Sequence, residues 1–184
     1  VGIRGDKIVA VGRLKGRTAK RTIEAAGKIV APGFIDMLGQ SGRSLLVDNR
    51  AMSKISQGIT TEVTGEGASV APVNENILKE WKPFIDKYNV AVDWKDFEGY
   101  FKRLSENKTA INLASFVGAT QVRAYVLGYD DRDPTAPELD RMKELVREAM
   151  QQGAWGVSTS LIYAPATYAK TNELMELAKA ASEE

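Results

Sequence analysis

From Phe34 onward, apolar and β-branched runs alternate with longer segments whose apolar residues recur at helical spacing. That alternation constrains the fold more than any other feature. Four runs read as strands: Phe34–Leu38, Ile59–Thr64, Ile111–Val117 and Gly156–Ile162. The segments between them read as helices. Asn49 is placed to cap one that Gly58 stops, with Met52 and Ile55 facing inward. Another starts at Asn74 and runs through Trp81, where Pro83 is expected to kink or end it. Asp93 or Asp96 opens a third, carrying Phe97, Tyr100, Phe101 and Leu104 on one face. Thr120 is the expected cap of a short helix ending at Leu127. Thr135 and Glu138 have the spacing of a capping box, ahead of Leu139, Met142, Leu145, Val146 and Met150. Thr171 opens the last helix. Strands and helices in this order predict an α/β fold of βα units on a parallel sheet. A doubly wound open sheet and a partial (β/α)8 barrel both satisfy the periodicity. A whole barrel takes about 250 residues, and the chain has 184.

Ahead of Phe34 the pattern is different. Val1–Arg4 and Lys7–Val11 are short β-type runs joined by Gly5-Asp6, a loop that suits a type II′ hairpin. A basic loop over 12–20 reads as a solvated edge, with Arg21–Glu24 as a further strand and Ala25-Ala26-Gly27 as a turn. Two parts are therefore expected: residues 1–32 as part of a small β domain and 33–184 as an α/β domain.

Composition narrows the chemistry. There are no cysteines and no histidines, which removes disulfides, thiolate ligands, the commonest neutral metal ligand and the commonest general base. A net charge of +1 gives no electrostatic footprint for nucleic acid or an anionic membrane. No apolar run approaches the roughly 18 residues of a membrane span. The chain starts at Val1 without methionine and stops at Glu184 within an expected helix, and reads as a piece of a longer protein. A cytoplasmic location is expected, with periplasmic or secreted as the alternatives.

One stretch carries more specific information: Ile29-Val30-Ala31-Pro32-Gly33-Phe34-Ile35-Asp36-Met37-Leu38-Gly39-Gln40. Ile29–Ala31 read as the end of a strand, Pro32-Gly33 as a sharp break, and Phe34–Leu38 as a second strand from which Gly39 turns the backbone away. The string resembles the "APGFID" junction of the amidohydrolase superfamily, where a small β domain meets the first strand of a metal-bearing (β/α)8 barrel. The run from Gln57 to Pro72 resembles the second barrel strand of the N-acyl-D-amino-acid deacylases (D-aminoacylases). Asn112–Ala119 resembles their third strand, and Gly153–Pro165 their "GALGLSTGLIYPPG" fourth. The resemblance favours the partial barrel, about its first four βα units. It implies a hydrolase of amide C–N bonds, dependent on a divalent metal, with zinc expected and one ion rather than two, and with a late-barrel aspartate moving the proton. The expected partner is an N-acyl amino acid or related amide, without nucleic acid or membrane, and with a homo-oligomer open.

The chain departs from that family at telling places. The family's Asp-x-His-x-His appears here as Asp36-Met37-Leu38-Gly39-Gln40, with Leu38 and Gln40 at the histidine positions, and Ala119 stands where relatives often carry histidine. The family's second strand offers a cysteine ligand in "GNCG", and the resemblance assigns its role to Glu66, in the loop Gly65-Glu66-Gly67-Ala68-Ser69. Glu66 is either a metal ligand or a solvated loop carboxylate. Tyr163, Ser160 and Gln40 are the candidate substrate contacts, and no catalytic residue is assigned within the chain. Asp36 is either buried structure or an orienter of a ligand. Arg43 and Arg123 read as surface ion-pairing residues, with contact to a substrate carboxylate as the alternative, and Glu62 matches no family role. Two function classes remain: an amidohydrolase fragment inactive alone, or a non-catalytic barrel binding a small molecule or partner.

Overall fold

A computed structural model describes residues 1–184, which divide into two compact units, Val1–Gly33 and Phe34–Glu184. The first unit is a hairpin followed by irregular chain. β1 (Gly2–Arg4) pairs antiparallel with β2 (Lys7–Ala10), Arg4 facing Lys7 across the loop. Gly5 takes φ +63° there and Asp6 does not go positive, as a type II′ turn requires. The expected turn over 25–27 forms, with the Lys28 amide donating to Ala25 O at 3.0 Å. The strands expected over Arg21–Glu24 and Ile29–Ala31 do not form. Neither run finds a neighbour to share a ladder, and Ile29 is 94% exposed. No residue of this unit is fully buried, as expected of about thirty residues, which cannot enclose a core.

The second unit is α/β. β3 (Phe34–Asp36), β4 (Ile59–Thr64) and β5 (Asn112–Ser115) form a parallel sheet in that order. β6 (Val117–Gly118) pairs in parallel with β7 (Val157–Ser158). In this unit β4 thus lies beside β3, β5 beside β4 and β7 beside β6. The helices are α1 (Met52–Ile55), α2 (Glu75–Tyr88), α3 (Phe97–Asn107), α4 (Ala119–Leu127), α5 (Ala136–Gln151) and α6 (Thr171–Ser182). Their apolar faces meet the strands in one core that includes Leu45, Ile77, Phe97, Tyr100, Met142 and Leu177. No helix is long and apolar enough to cross a membrane.

Local signals explain most helix starts. The Asn74 side chain accepts from the amides of Asn76 and Ile77, Asp96 accepts from Gly99, and the Thr135–Glu138 capping box forms. Several boundaries differ from expectation. α2 does not end at Pro83 but continues to Tyr88, because buried Ile77 and Trp81 and half-buried Ile85 hold both halves on the core. Asn49 does not cap α1: its side chain donates to Asn107 O at 2.7 Å, and Ala51 is the cap residue. The third expected strand is interrupted at Phe116, so it forms β5 and β6. The fourth shrinks to two residues, since β6 ends at Gly118 and offers partners only to Val157 and Ser158.

Candidate functional site

The C-terminal ends of β3, β4, β6 and β7 lie close together, and the loop over 65–69 is built into them. Glycine is required at three points. Gly65 has φ +95°, and a Cβ on it would lie 2.2 Å from Phe116 O. Gly67 has φ +67°, and its Cβ would lie 2.7 Å from Ser160 Cβ. Gly118 has an ordinary φ of −79°, but its Cβ would lie 2.0 Å from Gly67 O.

Hydrogen bonds hold this close packing. The Ser158 hydroxyl donates to Gly65 O and accepts from the Gly67 amide at 3.1 Å. The Gly118 amide donates to Ser69 Oγ at 3.0 Å. Gly67 O accepts from the amides of Thr120 and Gln121 at 3.0 and 3.4 Å. The loop therefore supplies the acceptor for the first turn of α4, and the expected Thr120 cap is replaced by Gly118 at the cap position.

Glu66 is left exposed at the centre of this loop. Gln40 reaches it from the end of β3, Nε2 donating to Glu66 Oε2 at 3.2 Å. The structure thus brings Gln40, Glu66 and, across Gly67, Ser160 together. The fourth strand, expected over Gly156–Ile162, stops at Ser158 and does not reach Tyr163. That tyrosine lies five residues beyond β7 in a turn, is 73% exposed, and its hydroxyl bonds to none of the other three. Leu38 is also exposed and offers only carbon.

Beneath the site lies a charged cluster that sequence reasoning missed. Lys54 of α1 is hydrogen-bonded to Asp36 and lies 3.4 Å from Glu62. That hydrogen bond, reinforced by the Leu38 amide, holds the Asp36 carboxyl below its usual range and raises the Lys54 ammonium above its own. Glu62 is wholly buried, so it cannot serve as an inert counterpart of Glu66. A carboxylate within a β-branched run was the signal: buried charges are almost always paired, and Lys54 lies one helix earlier. Arg43 and Arg123 are likewise not surface pairs. Arg43 lies over the Trp81 and Phe84 rings at 4.8 and 5.1 Å. Arg123 is buried in α4 against Glu173 of α6.

A catalytic zinc site needs three protein ligands and an open position. This chain offers the Glu66 carboxylate and the Gln40 amide oxygen, while Asp36 and Glu62 are engaged with Lys54. No cluster of three acidic, histidine or cysteine side chains is arranged to hold a metal ion. Matched residue for residue, the family's "GNCG" sets Glu66 opposite asparagine and Gly67 opposite cysteine, so the case for Glu66 rests on its place at the end of β4. By themselves these residues do not make a zinc site.

No protein-family model matches the chain. Curated relatives do. It is 36% identical to a D-aminoacylase of Alcaligenes xylosoxydans xylosoxydans over 97% of its own length, and 35% identical to an N-acyl-D-glutamate deacylase of the same organism over 99%. It spans 37% of the length of each. Among solved structures, a D-aminoacylase described as having a binuclear metal centre, with one-metal activation and second-metal attenuation, matches with a TM-score of 0.87 at 37% identity, over 97% of this chain and 38% of that one. An N-acyl-D-glutamate deacylase from Bordetella bronchiseptica, complexed with zinc and a phosphonate mimic of the tetrahedral intermediate, matches with a TM-score of 0.81 at 34% identity, over 95% and 36%. The sequence and structural matches both span nearly every residue present, and the chain is a homologue, over little more than a third of their length, of D-aminoacylases and N-acyl-D-glutamate deacylases, the first described as a subset of the amidohydrolases.

Proposed function

We propose that this chain is part of a metal-dependent hydrolase that cleaves the amide C–N bond of an N-acyl-D-amino acid or a related amide, and that it is inactive alone. The sequential parallel order of β3, β4 and β5 supports reading the second unit as the first part of a (β/α)8 barrel, with the first unit as part of a small β domain. In a barrel, the C-terminal strand ends form the active face. The observation that carries the reading is the meeting of Gln40 and Glu66 at those ends, in a chain 36% identical to a D-aminoacylase.

Glu66 is then this chain's contribution to a site for one divalent metal, zinc, whose other ligands lie outside the chain. A bound metal supplies polarisation of the amide carbonyl and a lowered pKa for water. Gln40 orients the Glu66 carboxylate through its amide, and Ser160 and Tyr163 contact the substrate. The alternative, a non-catalytic barrel, draws on Leu38 and Gln40 at the histidine positions.

Glu66→Gln in the full-length protein decides between them, with Glu106→Gln, an exposed carboxylate on α3, as control. Metal affinity and amidase turnover should both fall by at least the roughly 10–100-fold typical of lost outer partners, with metal content by elemental analysis reduced accordingly. Equal metal content and turnover in Glu66→Gln and the parent reject the role of Glu66, and a parent with neither supports the non-catalytic barrel. Two metals per parent chain reject the single ion.

A further inference from the structure

Glu62 lies four residues before Glu66 on β4 and has no solvent exposure. A buried carboxylate is costly unless its oxygens are met. Oε1 accepts the Ser41 amide at 2.7 Å. The same oxygen lies 1.9 Å from where a Cβ would sit on Gly39. Gly39 is therefore glycine because Glu62 occupies its side-chain space, and its φ is not in the left-handed region that a turning glycine would use. The carboxylate so lies against the main chain on both sides of Gln40.

β3 ends at Asp36, and beyond it one backbone bond, Gly39 N to Val63 O at 2.9 Å, ties the loop to β4. Further on, the buried Tyr100 hydroxyl donates to Gly42 O at 2.5 Å. Between these two points the Glu62–Ser41 bond is the fixed point next to Gln40 on its far side. Lys54 sits 3.4 Å from Glu62 Oε2 and bonds Asp36, which pairs with Glu62 across β3 and β4. One lysine thus faces both carboxylates, hydrogen-bonded to Asp36 and within ion-pair range of Glu62 Oε2, which has no hydrogen-bond partner.

We propose that Glu62 is a positioning residue of the candidate site: by gripping the main chain at Gly39 and Ser41, it fixes Gln40 where its amide meets Glu66, so that the Glu66 carboxylate is presented to a metal in one orientation. The metal part of this statement rests on the function proposed above, and the placement of Gln40 does not.

The test uses crystal structures and Zn²⁺ titrations of the full-length protein. Glu62→Leu removes the acceptor and leaves Lys54 its bond to Asp36. Glu62→Asp keeps the charge but withdraws the oxygens by about 1.5 Å, one bond length. Glu62→Gln keeps an acceptor at full reach. In Glu62→Leu and Glu62→Asp, the Gln40–Glu66 separation should open beyond about 3.5 Å, and Zn²⁺ affinity should fall about 10–100-fold. Glu62→Gln should keep the contact and most of the affinity. Adding Gln40→Ala to Glu62→Asp should cost little more, because both changes remove one interaction. A residue that only stabilised the fold would lower the melting temperature, leave the contact closed, and give losses that multiply with Gln40→Ala. Either a closed contact in Glu62→Asp or multiplying losses overturns the proposal. If Glu62→Leu does not fold, Glu62→Asp and Glu62→Gln carry the decision. A parent that binds no zinc defeats the functional reading, and the crystallographic comparison still decides the positioning role.

Discussion

Replacing Gly118 with alanine isolates the close approach on which the glutamate loop is built. Gly118 has φ −79° and ψ 125°, a backbone that any residue adopts, so alanine brings no conformational penalty. It even reduces the freedom of the unfolded chain, which favours the variant by about 0.4–1 kcal/mol. Against this, the new methyl would lie 2.0 Å from Gly67 O, 2.5 Å from Gly67 C and 2.9 Å from Ala68 Cα. Ordinary carbon contacts begin near 3.5 Å, and backbone atoms cannot rotate aside. β6 and the loop must therefore separate by roughly 1.5 Å at the tightest point. That movement takes Gly67 O from the Thr120 and Gln121 amides and Ser69 Oγ from the Gly118 amide. Overpacking costs about 1–3 kcal/mol, and each lost hydrogen bond about 1 kcal/mol. The expected net loss is about 3–6 kcal/mol. At roughly 2–4 °C per kcal/mol for a unit of this size, the melting temperature should fall on the order of 6–24 °C. Thermal unfolding followed by circular dichroism measures it. Gly99→Ala in α3 is the comparison: the new methyl meets only Trp94 and Asp96 near 3.1–3.2 Å, and helix propensity favours alanine by up to about 1 kcal/mol. A Gly118→Ala protein within about 0.5 kcal/mol of the parent, inside the ordinary surface range, would refute the packing argument.

Two further outcomes follow from charges inside the second unit. Arg123 is buried against Glu173 and also donates to Arg132 O at 2.6 Å. Arg123→Met or Glu173→Leu alone leaves an uncompensated buried charge and should cost about 3–5 kcal/mol. The double variant should lose clearly less than the sum, and additive losses in urea denaturation would show that the pair does not interact. The Asp36–Lys54 pair predicts the pH profile. Asp36 titrates lower when folded, so its stabilisation is complete above its unfolded value of about 3.9 and is lost as pH falls through the lower folded value. Lys54 titrates higher when folded, so its stabilisation is complete below about 10.4 and is lost as pH rises through the higher folded value. Lys54→Met should lower mid-range stability and flatten both flanks, and unchanged flanks in melts across pH would remove this pair as their cause.

Wherever a signal is local, it is legible in the sequence. The Thr135–Glu138 capping box, the helix start at Asn74 and the 3–4 spacing of Met142, Leu145 and Val146 each depend on residues within a turn or two, and each appears in the structure. The Gly5-Asp6 hairpin and the strand–helix order of the second unit belong to the same class. Tertiary structure alone decided the rest. A strand's length depends on its partner: Gly156–Ile162 has strand-like residues throughout, yet only Val157 and Ser158 meet β6 before α4 begins. Arg123 reads as a surface cation until α6, fifty residues on, brings Glu173 to it. Gln40 and Glu66 are 26 residues apart and meet only because β3 and β4 are neighbours in parallel. Gly39 reads as a turning residue, but what excludes a side chain there is the Glu62 carboxylate from the next strand. Propensity and capping act over a few bonds, whereas burial, ion pairing and close backbone approach depend on what the folded chain places alongside, and the candidate site is made of the second kind of contact.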